Sequence, residues 1–162
     1  MSDEQVALTL TLNGVPRTAE IDPRLLLVEA LREPFGLTGP KIGCLTGDCG
    51  ACTVRLDGAI VKSCLVLAVA VDGAEIVTIE GFAEGNDLNE IQQAFWNEYA
   101  FQCGYCLSGI LFAAEDLLER NSDPTDDEIR TAIDGNLCRC TGYENVVTAV
   151  QTACRRLQGS DG

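Results

Sequence analysis

Histidine is absent from this chain. Its absence removes Ser–His and Cys–His catalysis, histidine-ligated zinc, haem held through histidine, and Rieske-type clusters. Long apolar runs are missing too: the longest, Cys64 to Val71, is far too short to span a bilayer. The opening residues Met-Ser-Asp-Glu are acidic where a secretory signal would be basic and then apolar, so the expected location is cytoplasmic. Basic residues are scarce, with 11 Lys and Arg against 25 Asp and Glu and a net charge of −14. Split at residue 80, both halves are acidic, and neither offers the basic face that a nucleic acid partner requires. Most of that acidity is accounted for as a solvated surface.

What is present is an ordinary globular composition, 46% hydrophobic and 22% charged over 162 residues, enough for one domain or two small ones. Residues Val6 to Leu12 alternate apolar with small or polar side chains, which predicts a half-buried strand. Asn13-Gly14 then predicts a tight hairpin into Val15 to Ile21, whose Pro16 suits an edge strand or a bulge. Asp22 reads as an N-cap with Pro23 at the first helical position, opening a helix over Arg24 to Arg32. A second hairpin joins Thr53–Leu56 to Ala59–Ser63 through Asp57-Gly58, and Glu75 to Ile79 reads as a last strand. Beyond the Gly- and Asp-rich stretch Gly81 to Asp87 the period becomes helical: Asn89–Tyr99, Ser108–Arg120, Asp126–Ile133 and Tyr143–Leu157. Capping boxes are expected at Thr125/Glu128 and Thr141/Glu144. The fold class is therefore α+β, with a small sheet folded over one helix in residues 1–80 and an all-helical part in residues 81–162.

The chemistry lies in the nine cysteines. Cys44, Cys49 and Cys52 form C-x4-C-x2-C, with Cys64 eleven residues further on, the spacing by which plant-type ferredoxins hold a 2Fe–2S cluster. Gly43, Gly47 and Gly50 fit a loop that must turn its N–H groups toward anionic sulfur. Zinc knuckles usually come as two C-x2-C pairs, and a cytosolic chain seldom keeps disulfides, so a cluster is the better reading. The second quartet, Cys103 and Cys106 with Cys138 and Cys140, is on spacing alone open between zinc and iron–sulfur. Its C-x2-C pair falls at a helix start, where N–H groups favour thiolates. Cys154 lies on the apolar stripe Val146, Val147, Val150, Ala153, Leu157 and reads as a buried hydrophobe rather than a ligand. Phe95, Trp96, Phe101 and Phe112 read as core or interface residues.

Three motifs stand in order: Lys41-Ile-Gly-Cys-Leu-Thr-Gly-Asp-Cys-Gly-Ala-Cys-Thr53, Gln102-Cys-Gly-Tyr-Cys106 and Gly135-Asn-Leu-Cys-Arg-Cys-Thr-Gly-Tyr143. Over about residues 5–157 the chain resembles the iron–sulfur small subunit of the xanthine oxidase (molybdenum hydroxylase) family, including the small subunit of carbon monoxide dehydrogenase. The resemblance implies a plant-ferredoxin-like β-grasp domain followed by a four-helix bundle, each with one 2Fe–2S cluster. It therefore assigns iron to the second quartet. It also implies a large partner subunit with a molybdenum–pterin cofactor and a medium subunit with FAD, in a heterotrimer or a dimer of heterotrimers. Electrons would pass from molybdenum to the Cys103/Cys106/Cys138/Cys140 cluster, then to the Cys44/Cys49/Cys52/Cys64 cluster and on to FAD. Gln102 and Cys140 are implied to approach the pterin; the bland reading of Gln102 is a residue satisfying backbone groups at its helix start. After Cys106 many members read Thr-Pro-Gly-Met where this chain has Leu107-Ser108-Gly109-Ile110, which leaves the substrate open among purines, N-heteroaromatic rings, aldehydes and carbon monoxide. Two other readings compete: a free-standing two-cluster ferredoxin, and a zinc-stabilised assembly module with one redox cluster.

Overall fold

The first strand of the sheet pairs with the second because Asn13 and Gly14, at φ 51° and 78°, both accept the left-handed backbone of a two-residue hairpin. The structure is a computed structural model and describes residues 5–83, 85 and 87–159. β1 (Val6–Leu12) runs antiparallel to β2 (Val15–Ile21) in the register Val6↔Ile21 to Leu12↔Val15. β3 (Thr53–Leu56) and β4 (Ala59–Lys62) form the second hairpin, turned by Asp57 and Gly58 at φ 46° and 85°. β5 (Glu75–Val77) closes the sheet between them, parallel to β1 and antiparallel to β3. The strand order β2-β1-β5-β3-β4 leaves β2 at an edge, where Pro16 removes no ladder donor that a neighbour needs.

Alternation along β1 turns Leu8, Leu10 and Leu12 to one face. There they meet Leu27, Ala30 and Leu31 of α1 (Leu27–Arg32), with Val54, Ile76 and Phe35. This is the sheet-over-helix core expected from the pattern. The helix start differs. Asp22 does not cap α1; its side chain accepts from Arg24 N–H at 2.9 Å and its carbonyl accepts from Leu25 N–H at 3.0 Å, a turn of its own. Leu26 is then held extended by pairing with Leu67, so the helix begins only at Leu27 and Glu29 reaches back to Leu26 N–H at 2.9 Å. Residues that a propensity scan reads as helical are drawn into sheet-like pairing instead. Short 3-10 turns follow at Ser63–Leu65, Ala68–Val71 and Ile79–Gly81.

Four helices make the second core: α2 (Glu90–Asn97), α3 (Leu107–Arg120), α4 (Asp126–Ile133) and α5 (Glu144–Gly159). Asn89 caps α2 in a reciprocal box with Gln92, and Thr125 does the same with Glu128 for α4. The box expected at Thr141/Glu144 is not formed. Gly142 and Tyr143 both take left-handed φ, 68° and 69°, and this break separates Thr141 from α5. Phe95, Ile110, Phe112, Ile129, Val146 and Val150 fill the core. Cys154 is buried there as its stripe predicted, its Sγ against the Ser122 carbonyl at 2.9 Å. Phe95 and Phe112 are core; Trp96 is exposed and leans on the half-buried Phe101, ring centroids 6.1 Å apart.

The two cores meet through α3. Arg55 on β3 pairs with Glu115 at 2.6 Å and Glu119 at 3.2 Å, and the Ser108 hydroxyl donates to Ala51 O at 3.4 Å. Gly109 is packed so closely that a Cβ there would fall well inside contact of Gly50 O and 2.7 Å from Asn136 Oδ1. Replacing a helical Gly by Ala normally gains about 1 kcal/mol of helix propensity. Overpacking against backbone costs about 1–3 kcal/mol and wins here, because a carbonyl cannot step aside as a side-chain end can. Gly109→Ala is therefore expected to lower the melting temperature of the cluster-loaded protein; a rise would show that the seam has slack.

Candidate metal centres

The first centre is built by a loop whose backbone is bent to bring N–H groups onto sulfur. Leu45, Gly47 and Gly50 take φ of 60°, 87° and 72°. In consequence the N–H groups of Thr46 and Cys49 both point at Cys44 Sγ, at 3.4 Å each. Hydrogen bonding from Thr46 and Cys49 pulls the Cys44 thiol down to about 6, so this sulfur favours the ligating thiolate form. A Cβ on Gly43 would lie 2.6 Å from Cys49 Sγ, and one on Gly47 would lie 2.7 Å from Leu65 Cδ1. Gly43 thus has no room for a side chain against its sulfur, and Gly47 is required by its left-handed backbone. Cys52 and Cys64 close the site from below, 1% and 3% exposed, beside Val28. Burial pushes the Cys64 thiol up to about 11 and also raises Cys49, so a metal ion's charge is needed to hold them ionised.

The second centre stands where two chain segments meet. Cys106 caps the start of α3, and Cys138 and Cys140 lie in the link between α4 and α5. Cys103 and Cys140 are exposed, with their sulfurs 3.7 Å apart. Cys106 is buried, and burial together with Cys138 pushes its thiol up to about 12. Cys138 is also penalised by burial, but hydrogen bonds led by the Thr141 hydroxyl, 3.2 Å from its sulfur, outweigh this and lower it. Thr141, read from sequence as a helix cap, therefore serves a sulfur instead. The Tyr143 hydroxyl accepts from Cys138 N–H at 2.7 Å and donates to Asn136 O at 3.1 Å, tying the link to itself. Gln102 does not serve its own helix start. Its side-chain amide donates to Cys140 O at 3.1 Å, and both residues are exposed.

The eight sulfurs are arranged as four pairs. Cys103 stands with Cys140, while the side chain of Cys44 reaches the Cys49 thiol, that of Cys52 the Cys64 thiol, and that of Cys138 the Cys106 thiol. Two thiolates on one tetrahedral ion, with bonds of about 2.3 Å, lie about 3.8 Å apart, which is the spacing of Cys103 and Cys140. One zinc needs four ligands around one point; a 2Fe–2S cluster needs two pairs, one per iron, with sulfide between them. The donor set fits two such clusters.

The two centres are joined backbone to backbone. Leu137 N–H, next to Cys138, donates to the carbonyl of Cys49 at 2.9 Å, and the Tyr105 hydroxyl donates to Ile42 O at 2.7 Å. Lys62 Nζ donates across the same seam to Gly135 O at 3.0 Å. Sequence reasoning missed Lys62, Tyr105, Asn136 and Tyr143 as parts of the site. Tyr143 and Asn136 stood inside a quoted motif, but nothing local marks Lys62, which acts across the fold.

Fold and site together define an iron–sulfur protein with two separate centres. Two family models match it in succession: a 2Fe-2S iron-sulfur cluster binding domain over residues 10–77 and a [2Fe-2S] binding domain over residues 78–151. The nicotinate dehydrogenase small FeS subunit of Eubacterium barkeri is 46% identical over 94% of this chain and 97% of its own. The crystal structure of quinoline 2-oxidoreductase from Pseudomonas putida 86 superposes with a TM-score of 0.91 at 43% identity, covering 98% of this chain and 99% of that one. The aldehyde oxidoreductase of Megalodesulfovibrio gigas is 40% identical over 93% of this chain, which spans only 17% of that protein. The chain belongs to the 2Fe–2S small subunits of the xanthine oxidase (molybdenum hydroxylase) family.

Removing the Tyr143 hydroxyl strands a donor and an acceptor beside the second centre, a loss of about 1–3 kcal/mol. Tyr143→Phe should therefore lose iron from the second centre at a lower temperature than wild type, followed by the decay of its paramagnetic signal. Equal heat resistance of both centres in the variant would rule out that bracing role.

Proposed function

We infer that this chain is the electron-transfer subunit of a molybdenum-dependent oxidoreductase, with the substrate-transforming site on a partner. Cys44, Cys49, Cys52 and Cys64 hold one 2Fe–2S cluster, and Cys103, Cys106, Cys138 and Cys140 hold the other, with a division between the two units near residue 80. When bound, the clusters supply one-electron relay chemistry. The observation that carries the reading is the graded burial of the sulfurs. Cys103 and Cys140 lie open at the surface, Cys106 is buried, and the seam from Leu137 to Cys49 leads to the first centre. With the clusters bound, an electron entering at the exposed pair would have this chain's own backbone contact as its route to the first centre.

The entry surface carries exposed apolar side chains among polar ones such as Gln102 and Arg139. Tyr105 and Leu137, each a chain neighbour of ligand cysteines, are exposed, as are Trp96 and Tyr99. A rim of that kind is covered in an assembly, which favours a permanent subunit over a free carrier. At the first centre Leu45 and Leu65 are likewise exposed, and they suit a second partner that accepts the electrons, an FAD-binding medium subunit in our reading. The named relatives act on nicotinate, quinoline and aldehydes. An N-heteroaromatic ring is the substrate class we propose, in a cytoplasmic complex.

Purified with its partners, the complex is expected to contain about four irons and four sulfides per copy of this chain, with no zinc. Cys44→Ser should abolish one of two 2Fe–2S resonances and Cys106→Ser the other, while Cys154→Ser should abolish neither. A zinc content equal to one per chain, or loss of a resonance with Cys154→Ser, would overturn the ligand set.

Gln102 is placed by the same reading at the pterin, on the exposed side of Cys140. With Gln102→Ala both clusters should stay loaded, while reduction of the inner cluster by substrate slows or the molybdenum signal changes. Unaltered pre-steady-state reduction and an unaltered molybdenum signal would dismiss the contact.

A further inference from the structure

Lys62 has no part in the ligand set, yet its side chain occupies the junction of the two centres. It ends β4, pairs with Thr53 of β3 across the hairpin, and lies two residues before Cys64. Its half-buried ammonium donates to Thr53 Oγ1 at 3.1 Å and to Gly135 O at 3.0 Å. The Thr53 hydroxyl passes the chain on to Gly50 O at 2.7 Å, inside the turn between Cys49 and Cys52. One cation is thereby fixed against the first loop on one side and the second loop on the other.

We propose that Lys62 sets the direction of electron flow, by holding a fixed positive charge beside the first cluster and making it the easier of the two to reduce. The proposal rests on the assignment of the eight cysteines given above. Reduction of the first cluster transfers one electron from the second, which is replenished by substrate oxidation on the catalytic subunit. One ferric ion becomes ferrous, no bond is made or broken, and no proton moves. The product therefore carries one more negative charge than the reactant, and a nearby cation stabilises it preferentially. Lys62 lies two residues before Cys64 and binds the hydroxyl of Thr53, next to Cys52, whereas its contact with the second loop is Gly135 O, three residues before Cys138. Its effect on the two centres is therefore unequal.

Other cations near the sulfurs lack this placement. Arg139 stands between Cys138 and Cys140 but is exposed, where water and salt screen it. Arg32 and Lys41 keep their charge but hold it against the carbonyls of Thr38 and Pro40, on the segment before Cys44 rather than between the two loops. A neutral donor at position 62 would brace the seam equally well. A charge is what distinguishes Lys62 from a brace, and half-burial is what keeps that charge from being screened.

The test is a redox titration of the assembled complex, followed by the separate paramagnetic signals of the two clusters. Wild type is compared with Lys62→Gln, which keeps a donor and loses the charge, and with Lys62→Arg, which keeps both. In Lys62→Gln the first cluster is expected to be reduced about tenfold less readily, about 59 mV lower for a one-electron couple. The second cluster should keep its potential, Lys62→Arg should restore most of the first, and iron and sulfide contents should be unchanged. Equal potentials in wild type and Lys62→Gln, an equal shift of both clusters, or the same shift in Gln and Arg would overturn the proposal. So would loss of the first cluster from Lys62→Gln alone, which would mark the residue as a brace. A wild-type complex without two 2Fe–2S signals would instead remove the ligand assignment, and this inference with it.

Discussion

Everything in this structure depends on how closely two loops of backbone approach each other. The loop around Gly50 and the start of α3 at Gly109 touch main chain to main chain, with Asn136 wedged alongside, and neither glycine position has space for a Cβ. The Leu137 to Cys49 hydrogen bond spans the same seam. Each half has its own hydrophobic core, so apolar burial alone would permit many relative orientations. Close backbone contact permits few, because displacing it by one methyl group already costs about as much as a buried side chain contributes. Arg55 with Glu115 and Glu119 adds charged register at the far side of α3. Glu115 is half-buried and desolvation raises its pKa, so the pair serves geometry more than stability.

The sulfurs show how the chain divides its labour. Burial raises the thiols of Cys64 and Cys106, whereas N–H and hydroxyl donors lower those of Cys44 and Cys138. Donors that lower a thiol's pKa also stabilise electron-rich sulfur on a metal, and they are among the means by which a protein tunes a cluster. Each centre thus sets a donor-rich sulfur, Cys44 or Cys138, beside a desolvated one, Cys64 or Cys106.

Much of this was readable beforehand, for identifiable reasons. Strand alternation in β1, the Asn13-Gly14 and Asp57-Gly58 turns and the α4 capping box are local signals, and they appear where local physics puts them. Spacing marked the first cysteine quartet as a cluster motif, whereas the second stayed open between zinc and iron until the family resemblance was drawn. Two local signals failed. Asp22 is drawn into its own turn because Leu26 pairs with Leu67, forty-one residues away in sequence. Thr141 is drawn to Cys138 because two left-handed residues part it from α5. The second failure is a local break in the backbone, whereas the first lies beside a long-range contact that no window of sequence contains. Lys62 was invisible for the same reason: its partner Gly135 belongs to the other half of the chain.

The helical half explains why a single ferredoxin-like unit would not suffice. In the first centre the sheet and α1 bury Cys52 and Cys64, and the loop folds over Cys44 and Cys49, leaving no sulfur pair fully exposed. Such a centre is more enclosed than the second, and its accessible side is that of Cys44, Cys49, Leu45 and Leu65. The bundle offers the opposite arrangement: α3 buries Cys106 against its core while the α4–α5 link holds Cys140 at the surface beside Gln102. A pair open on one side and closed on the other can touch a partner and still face the first centre. Fusion of the same module into a chain about six times its length, as the aldehyde oxidoreductase coverage implies, preserves that relation without needing a free encounter. The chain thus joins a centre with an exposed sulfur pair to one whose sulfurs are half-buried or buried, through a backbone seam that fixes their separation.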